Sequence, residues 1–398
     1  MALPKHQTGI VQSASAFSPD NPTTISISST IPMPILSSPG QVFVRVLAVA
    51  LNPSDFKMIK YFPQPGTNLP AGCDFCGVIE DVYSSPESNG TRASSPLQGT
   101  RVIGSKFPYG ATEHAGAGAG AFAEYLVADS SQLIAIPDSM DELQGAAIGG
   151  LCWGTCVVAL FADAEGLRLP FPESLTEDEN AEGAEPRSRS KSYPVLVYGA
   201  ATATGTMACQ MLRLAGHTPI AVTSPSSSSL AQAYHAIGSA PYTSPDVVSI
   251  IRSLSPQGQP IRHALDCITS PESAAVCFGA IGRAGGRYAC LEKFQDRWRI
   301  RRAVQVREIM GFEGLGHDVI LGHGDGEADQ TYSRKANPEL AAQGRFWAKE
   351  MQKAIERGMI RPHPVRELAG NWEAVAEGLM MLQRGEVRGQ KLVVRIGS

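Results

Sequence analysis

The amino-acid sequence predicts an α/β protein with two domains, one built on a doubly wound parallel sheet and the other on irregular β structure. A chain of 398 residues is too long for one ordinary hydrophobic core and suits two domains. The first 150 residues are rich in short strands and turns, whereas strand and helix patterns alternate after residue 194. Such alternation is typical of a parallel sheet whose strands are connected by crossover helices.

Short apolar runs separated by turn residues predict the strands of the first domain. Residues 41–51 (QVFVRVLAVAL) alternate at first and then become continuously apolar. Further strands are predicted at 78–82, 100–104 and 121–127, a Ser/Pro-rich loop at 84–98, and a helix at 141–161.

Residues 194–224 carry the most specific pattern in the chain. Val195–Tyr198 reads as a short buried strand, and Gly199 then turns the chain. The apolar spacing of 202–214 predicts a helix, and 219–223 predicts a second apolar strand. Strand, glycine turn, helix and strand together form the core of a Rossmann dinucleotide-binding domain.

The turn before that helix is a predicted phosphate site. Between Gly199 and Gly205 the residues are small, so phosphates can approach the backbone, and a helix N-terminus attracts anions. The predicted contacts are Ala201, Thr202, Ala203 and Thr204, with hydroxyl donors on the two threonines.

The end of the second strand indicates which dinucleotide binds. An NAD site normally has Asp or Glu there to accept hydrogen bonds from the ribose 2′-hydroxyl. Here Thr223–Ser229 (TSPSSSS) contains no carboxylate that would repel a 2′-phosphate. The sequence therefore favours NADPH, held by hydroxyls and amides of Ser224, Pro225, Ser226 and Ser227.

The α/β rhythm continues to the end of the chain. Helices are predicted at 231–237, 247–254, 271–281, 339–358 and 372–383, and strands at 263–268, 287–291 and 390–396.

Composition excludes several classes of protein. The net charge is only −4 and Lys and Arg are scattered, which argues against a nucleic-acid surface; the basic run 297–302 is interpreted as a solvated helix face. No apolar run is expected to approach the roughly 18 residues that span a bilayer, and the N-terminal sequence lacks the apolar stretch of a secretory signal. We therefore expect a cytoplasmic protein. The pair Cys73 and Cys76 has no second pair for zinc, so core packing is favoured.

A charged insertion at 165–193 precedes the nucleotide unit. It is acidic from 173 to 185 and basic from 187 to 191, a composition that predicts a mobile surface loop. The alternative interpretation is a docking segment for a partner.

Several motifs resemble the medium-chain dehydrogenase/reductase superfamily, in its quinone-oxidoreductase-like branch. They are ALNPSDFK at 50–57, GCDFCG at 72–77, GAFAEY at 120–125, the nucleotide unit, and GQKLVV at 389–394. A closer likeness is to trans-acting enoyl reductases of fungal polyketide synthases (PKS) and PKS-NRPS pathways. It is carried by ALDCIT at 264–269, AIGRAGG at 280–286, KLVVR at 391–395 and the charged insertion.

The resemblance implies an organisation and a reaction. A discontinuous GroES-like catalytic domain would comprise 1–160 and 325–398, and a Rossmann NADPH-binding domain would comprise 161–324. The enzyme would reduce the α,β-double bond of a carrier-bound polyketide acyl thioester. The zinc lobe of clustered cysteines found in other members is absent, so no metal is expected.

The resemblance also implies site residues. Lys57 would bind a phosphate or ribose or assist protonation, and Thr155 would border the nicotinamide; Gly154 is the alternative, because the alignment slips by one. Ser54 and Asp55 would shape their loop, Asp55 through backbone amides. The implied cofactor residues are Ser54, Asp55, Phe56, Lys57, Leu291, Glu292, Arg388 and Gly389. The implied substrate residues are Thr155, Met310, Gly311 and Phe312.

Three points stay open on the sequence. No residue stands out as a general acid, so water is a plausible proton source. His317, Asp318, His323 and Asp325 lie close in a glycine-rich loop, for which a plain or substrate-facing loop is preferred over a metal site. The alternative functions are an NADPH quinone or enone oxidoreductase for small diffusible substrates and a non-catalytic nucleotide-binding scaffold. A monomer is favoured.

Overall fold

A computed structural model describes residues 4–13, 25–63, 68–84, 97–109, 120–171, 192–322 and 327–397. The chain divides into two compact units, each assembled from separate stretches of sequence. Unit 1 comprises 1–151, 315–337 and 355–398, and unit 2 comprises 152–314 and 338–354.

Unit 1 is built on antiparallel β structure. Its strands are β1 (His6–Gln12), β2 (Ile25–Pro32), β3 (Gln41–Ala50), β4 (Asp74–Val82), β5 (Arg101–Ser105), β6 (Tyr125–Asp129), β7 (Ile134–Ala135), β14 (Val365–Leu368) and β15 (Lys391–Arg395). β1 and β2 form a two-stranded sheet, and the others form a seven-stranded sheet in the order β14-β15-β3-β4-β5-β7, with β6 also paired to β3. β14 and β15 are parallel, whereas β15 and β3 are antiparallel.

Among the described residues of unit 1, the α-helices are α1 (Pro53–Tyr61), α2 (Glu142–Ile148) and α9 (Trp372–Gln383). α9 presents Val375 and Leu379 to a core that includes Phe75, Phe122 and Leu126, all buried. Burial of this apolar surface is the main favourable term for the unit.

Unit 2 contains a six-stranded, wholly parallel sheet in the order β10-β9-β8-β11-β12-β13. Its strands are β8 (Pro194–Tyr198), β9 (Thr218–Thr223), β10 (Ser239–Pro241), β11 (His263–Asp266), β12 (Gly286–Cys290) and β13 (Val304–Glu308). The helices are α3 (Leu151–Val157), α4 (Ala203–Leu214), α5 (Ser228–Ala233), α6 (Val247–Ser253), α7 (Pro271–Ala280) and α8 (Pro338–Glu356). This is the doubly wound Rossmann order, which confirms the predicted fold class.

The apolar runs of the sequence explain the central strands. Every residue of β8 is buried, as expected for a strand covered by helices on both faces. Thr202 caps α4 by accepting the N–H of Gly205 at 3.0 Å.

One segment, 142–162, corrects an expectation from the sequence. By length and composition it could span a membrane, with a mean hydropathy of 1.8, whereas no such run was expected. It is α2 and α3 with a closing π-helical turn at Val158–Ala162, and 83% of its most apolar window is buried inside the fold. Burial of this kind is typical of a core helix.

The unit boundaries differ from the predicted ones at 160 and 324. α3 falls in unit 2 from Cys152 onward because the Cys156 thiol contacts the Thr204 carbonyl at 3.5 Å. Most of α8 also falls there, because Trp347 stacks on Phe161 with ring centroids 4.7 Å apart.

Several elements were not predicted. The helix predicted at 231–237 lies earlier in the chain, as α5 (Ser228–Ala233). The strand β10, which follows it, has only three residues. β13 is half-exposed and polar, and β1, β2, α1 and β14 were also missed. Most of the charged insertion, 172–191, and most of the 84–98 loop lie outside the described residues.

Candidate cofactor and substrate site

The carboxyl ends of the parallel strands of unit 2 bring its predicted site residues to one edge of the sheet. Ala201–Thr204 follow β8, Ser224–Ser227 follow β9, Leu291 and Glu292 follow β12, and Met310–Phe312 follow β13. The strand order changes direction between β8 and β11, and this is where doubly wound proteins bind their ligands.

The turn after β8 leaves room for an anion. Gly199 has φ +74°, a left-handed conformation that glycine adopts without strain. A Cβ on Gly205 would lie 2.3 Å from the Gly199 carbonyl oxygen, so only glycine permits this close packing of turn and helix.

The backbone amides at the start of α4 are available to a ligand. Within the described part of the chain, the N–H groups of Ala201, Ala203 and Thr204 have no acceptor. The side chains of the two threonines are engaged instead: Thr202 caps the helix, and the Thr204 hydroxyl contacts the Cys152 thiol at 3.8 Å. Open amides at a helix N-terminus fit a pyrophosphate, which would bind backbone more than the predicted hydroxyls.

The segment after β9 is the predicted site of the 2′-phosphate. The Ser224 hydroxyl lies 3.1 Å from that of Ser226 and 2.9 Å from that of Ser227, while Pro225 and Ser226 are exposed. Tyr242 follows β10 with 47% exposure, and its N–H donates to the Thr223 carbonyl.

The sequence reasoning missed the segment after β11. Asp266 accepts the N–H groups of Ile268 and Thr269, each at 2.9 Å, and burial raises its pKa. Thr269 has φ +60°, and its hydroxyl accepts the N–H groups of Leu291 (3.1 Å) and Glu292 (3.3 Å). Thr269 therefore fixes the backbone of both predicted nicotinamide residues. The acidic residue Asp266 at the end of a buried strand is the sequence feature that could have identified this segment.

Thr155 lies at this same edge because α3 packs on the phosphate turn. Its neighbours Cys152 and Cys156 both contact Thr204. A Cβ on Gly154 would lie 3.8 Å from the Gly311 carbonyl oxygen. Thus α3 brings Thr155 and Gly154 beside the predicted substrate segment, in which Met310 and Phe312 are largely buried.

Arg307 holds the substrate segment in place. Its guanidinium donates to Asp163 at 2.5 Å and to Glu313 at 3.2 Å. Glu313 is only 7% exposed and directly follows Phe312, while Asp163 ends the π-helical turn after α3. Neighbouring carboxylates raise the pKa of Arg307, so it remains charged.

In unit 1, Ser54, Phe56 and Lys57 lie on α1. Ser54 and Lys57 are three residues apart and share a helix face, and both are half-buried. Asp55 is 1% exposed and accepts the N–H of Asn52 at 2.7 Å, the loop-shaping role predicted for it. That bond caps the helix, so the Asp55 carboxylate serves the fold more than a cofactor.

A buried polar cluster lies beside α1. Lys391 is 3% exposed, and its ammonium lies 3.3 Å from Asp74, which is fully buried, and contacts the Asn52 amide oxygen. Asp74 in turn accepts the N–H groups of Gly150 (2.9 Å) and Leu151 (2.8 Å). The cluster therefore connects α1, β4 and β15 to the segment Gly150–Leu151, all within unit 1. Burial and the charge of Lys391 lower the pKa of His363 to about 4.

A cavity of about 10 Å³ lies within unit 1, lined by Gln12, Asp55, Met58, Ile59 and Tyr109, among others. This volume is close to the minimum for one water molecule. Burial raises the pKa of Asp55 to about 7, so this wall of the cavity can hold a proton near neutral pH.

The remaining predicted residues lie elsewhere in unit 1. Arg388 is exposed, and Gly389, with φ +62°, leads into β15. Among the described residues no group of three or more His, Cys, Asp or Glu could hold a metal ion. Asp318 pairs with Lys335 at 2.7 Å, while His323 and Asp325 lie outside the described residues.

Comparison with known proteins gives consistent results. The model of the alcohol dehydrogenase GroES-like domain matches residues 38–138. The trans-enoyl reductase calK of Penicillium decumbens is 46% identical over 391 residues, which cover 98% of each chain. The trans-enoyl reductase sthE of Phaeosphaeria nodorum is 44% identical, covering 98% of this chain and 97% of its own.

Solved structures share the fold at low identity. The quinone oxidoreductase of Pseudomonas syringae has a TM-score of 0.64 at 18% identity, covering 98% of this chain and 99% of its own. The CurK enoyl reductase has a TM-score of 0.62 at 17% identity with the same coverage.

Proposed function

Because this chain belongs to the trans-enoyl reductases of fungal polyketide pathways, within the medium-chain dehydrogenase/reductase superfamily, we propose that it uses NADPH to reduce an α,β-unsaturated acyl thioester on a carrier protein of a PKS or PKS-NRPS. It is an oxidoreductase that acts on a carbon–carbon double bond with a nicotinamide cofactor. The observation that carries the proposal lies at the start of α4. There the backbone N–H groups of Ala201, Ala203 and Thr204 have no acceptor within the described residues and can bind an anion.

The choice of NADPH rests on the segment after β9. Thr223–Ser229 contains no carboxylate, and Ser226 is exposed beside the hydroxyls of Ser224 and Ser227. A carboxylate at Ser226 would repel a 2′-phosphate, so Ser226→Asp is expected to raise KM for NADPH about tenfold and leave that for NADH unchanged. Ser253→Asp, at an exposed position of α6 outside this segment, is the matched control. A parent enzyme that prefers NADH would refute the assignment.

The proposed chemistry assigns roles to the predicted site residues. When bound, the nicotinamide supplies the reducing equivalent to the β-carbon. Negative charge then collects on the thioester oxygen, where Thr155 is the proposed donor. Lys57 is proposed to bind a phosphate or ribose of the cofactor or to assist protonation. Met310 and Phe312 would line the tunnel that holds the acyl chain and so restrict the motion of that chain. The α-carbon afterwards takes a proton, for which water is the proposed source.

Activity on two substrates tests the assignment. NADPH consumption is measured with an α-methyl enoyl thioester of pantetheine and, in parallel, with a simple quinone. We expect turnover of the thioester and about a 100-fold lower kcat in Thr155→Val, which keeps the side-chain shape without the hydroxyl. Turnover of the quinone alone would assign the enzyme to small diffusible substrates.

We further propose a monomer in the cytoplasm. All eight cysteines are free, as is typical of a reducing compartment. β13, at the edge of the unit 2 sheet, has only five residues and ends in Arg307 and Glu308, features that disfavour pairing between edges. Light scattering after size exclusion tests the oligomeric state, and a mass of two chains would refute it.

A further inference from the structure

The amino edge of the unit 2 sheet carries a group of exposed arginines. Arg262, Arg283 and Arg302 are exposed and lie just before β11, β12 and β13, which are neighbours in the sheet. Arg287 N–H donates to the Arg262 carbonyl at 2.7 Å, and Gly286 N–H donates to the Ala303 carbonyl at 3.2 Å. These bonds hold the three segments side by side. We call Arg262, Arg283 and Arg302 the arginine surface.

Other arginines at this edge already have structural partners. Arg301 donates to the carbonyls of Phe278, Ile281 and Gly282, and Arg252 donates to that of Gly279. Both thereby neutralise the negative carboxyl end of α7. Arg287 binds the carbonyls of Ala164 and Gly166, in a turn that also carries the exposed acid Glu165.

The arginine surface has no such structural use. Within the described part of the chain, the side chains of Arg262, Arg283 and Arg302 form no hydrogen bond or ion pair. They concentrate positive charge on a chain whose net charge is −4. Unpaired like charges repel one another, so such a cluster favours association with an anionic surface.

Arginine outnumbers lysine in the sequence around this surface. Val247–Ala303 contains eight arginines and one lysine, and Ile300, close in sequence to Arg302, is 63% exposed. Arginine is enriched and lysine depleted where proteins meet, because a planar guanidinium binds carboxylates with two hydrogen bonds. The sequence interpretation of 297–302 as a solvated helix face is wrong in part: the segment contains only the short 3₁₀ turn Asp296–Trp298.

The arginine surface lies at the amino ends of the strands. The N–H groups at the start of α4 that have no acceptor lie at the carboxyl ends of the strands, on the opposite side of the sheet. The strands β12 and β13 between the two edges have five residues each, or about 16 Å at roughly 3.3 Å per residue. A partner bound at the amino edge would therefore leave the cofactor edge accessible to a substrate.

We propose that the arginine surface, with Ile300, binds a carboxylate-rich protein surface of the polyketide synthase that this enzyme serves. The proposal rests on the proposed function, since an enzyme acting in trans must associate with its synthase. The positive charge of the surface favours an acidic partner. Because the surface is distant from the cofactor site, we assign it to binding the synthase rather than the acyl group.

Two substrates separate docking from catalysis. The triple variant Arg262→Glu/Arg283→Glu/Arg302→Glu is compared with the parent on an enoyl pantetheine thioester and on the same acyl group carried by the synthase. We expect the rate on the diffusible thioester to stay within about twofold and that on the synthase to fall at least tenfold, with its salt dependence lost. Arg366→Glu, an exposed arginine of β14 in unit 1, is the matched control.

Each outcome decides the proposal. An unchanged rate on the synthase overturns it. If the triple variant no longer changes the synthase rate once the acidic run 173–185 has been deleted, the arginines act through that segment and the proposal is wrong. If the triple variant does not fold, single Arg→Ala variants replace it, and the absence of any salt-sensitive loss on the synthase overturns the proposal. Failure of the parent on the diffusible thioester would instead refute the proposed function.

Discussion

Replacing Lys391 by methionine tests the buried cluster of unit 1. The substitution keeps most of the side-chain volume but removes the cation 3.3 Å from Asp74. Asp74 is fully buried and would keep only neutral donors: the Asn52 amide and the N–H groups of Gly150 and Leu151.

The expected loss follows from this burial. Removing one partner of a buried ion pair costs about 3–5 kcal/mol, because the other charge is left uncompensated in a medium of low polarity. At about 1.4 kcal/mol per factor of ten, the equilibrium for opening of unit 1 should rise between roughly 100-fold and 5000-fold.

Buried thiols report that opening directly. Cys73 and Cys76 are fully buried in unit 1, and Cys209 and Cys277 are fully buried in unit 2. Under native conditions a thiol reagent reaches them only when the surrounding structure opens. In Lys391→Met, we expect faster labelling of the first pair and unchanged labelling of the second, measured by mass spectrometry.

A second substitution supplies the control. Adding Asp74→Asn to Lys391→Met removes the orphaned charge, while an amide oxygen still accepts the Gly150 and Leu151 N–H groups. The double variant should recover most of the lost protection. If the single variant labels Cys73 and Cys76 within about threefold of the parent rate, the reasoning from the buried pair is refuted.

Three further predictions concern the site and the pH dependence of stability. Arg307→Met removes the guanidinium that binds the buried Glu313 and Asp163 and so frees the substrate segment. KM for the acyl thioester should rise about tenfold, with KM for NADPH within twofold; equal changes in both would contradict this. Gly205→Val places a Cβ 2.3 Å from the Gly199 oxygen and should abolish NADPH binding in a fluorescence titration, and retained affinity would exclude the assigned cradle. Burial raises the pKa of Asp55 to about 7 from an unfolded value near 3.8, so the folded state holds this proton more tightly. The stabilising contribution of this proton is complete below pH 3.8 and is lost as the pH rises through 7. Between pH 4 and 8 the free energy of unfolding of the parent should therefore fall by on the order of 4 kcal/mol relative to that of Asp55→Asn. Denaturation profiles that run parallel with pH would disprove the pKa shift.

The parts of the fold that were predictable are those set by local pattern. β8 is continuously apolar, and α4 begins at a threonine cap after a glycine turn, so the strand, turn and helix could be located from sequence. β10 has three residues and β13 is half-exposed, and neither provides the apolar run on which a strand prediction depends.

The parts of the site that were missed depend on tertiary contacts. Thr269 acts through hydrogen bonds to Leu291 and Glu292 on the neighbouring strand connection, and Arg307 acts through Asp163, far away in sequence. No spacing in the sequence encodes these pairs. The unit boundaries were displaced for the same reason, since the stacking of Trp347 on Phe161 decides where α8 belongs.

The position of β15 has a consequence for synthesis of the protein on the ribosome. β15 lies between β14 and β3 in the sheet of unit 1, yet it is translated after every other strand of either unit. All six strands of unit 2 emerge earlier, so its parallel sheet can form while β3 still lacks a neighbour. A nascent chain stopped before Lys391 would expose that strand edge and the unpaired Asp74. Such a product is a clear substrate for chaperones and proteases, so translation that stops short of β15 should yield degraded chains rather than a partly active enzyme.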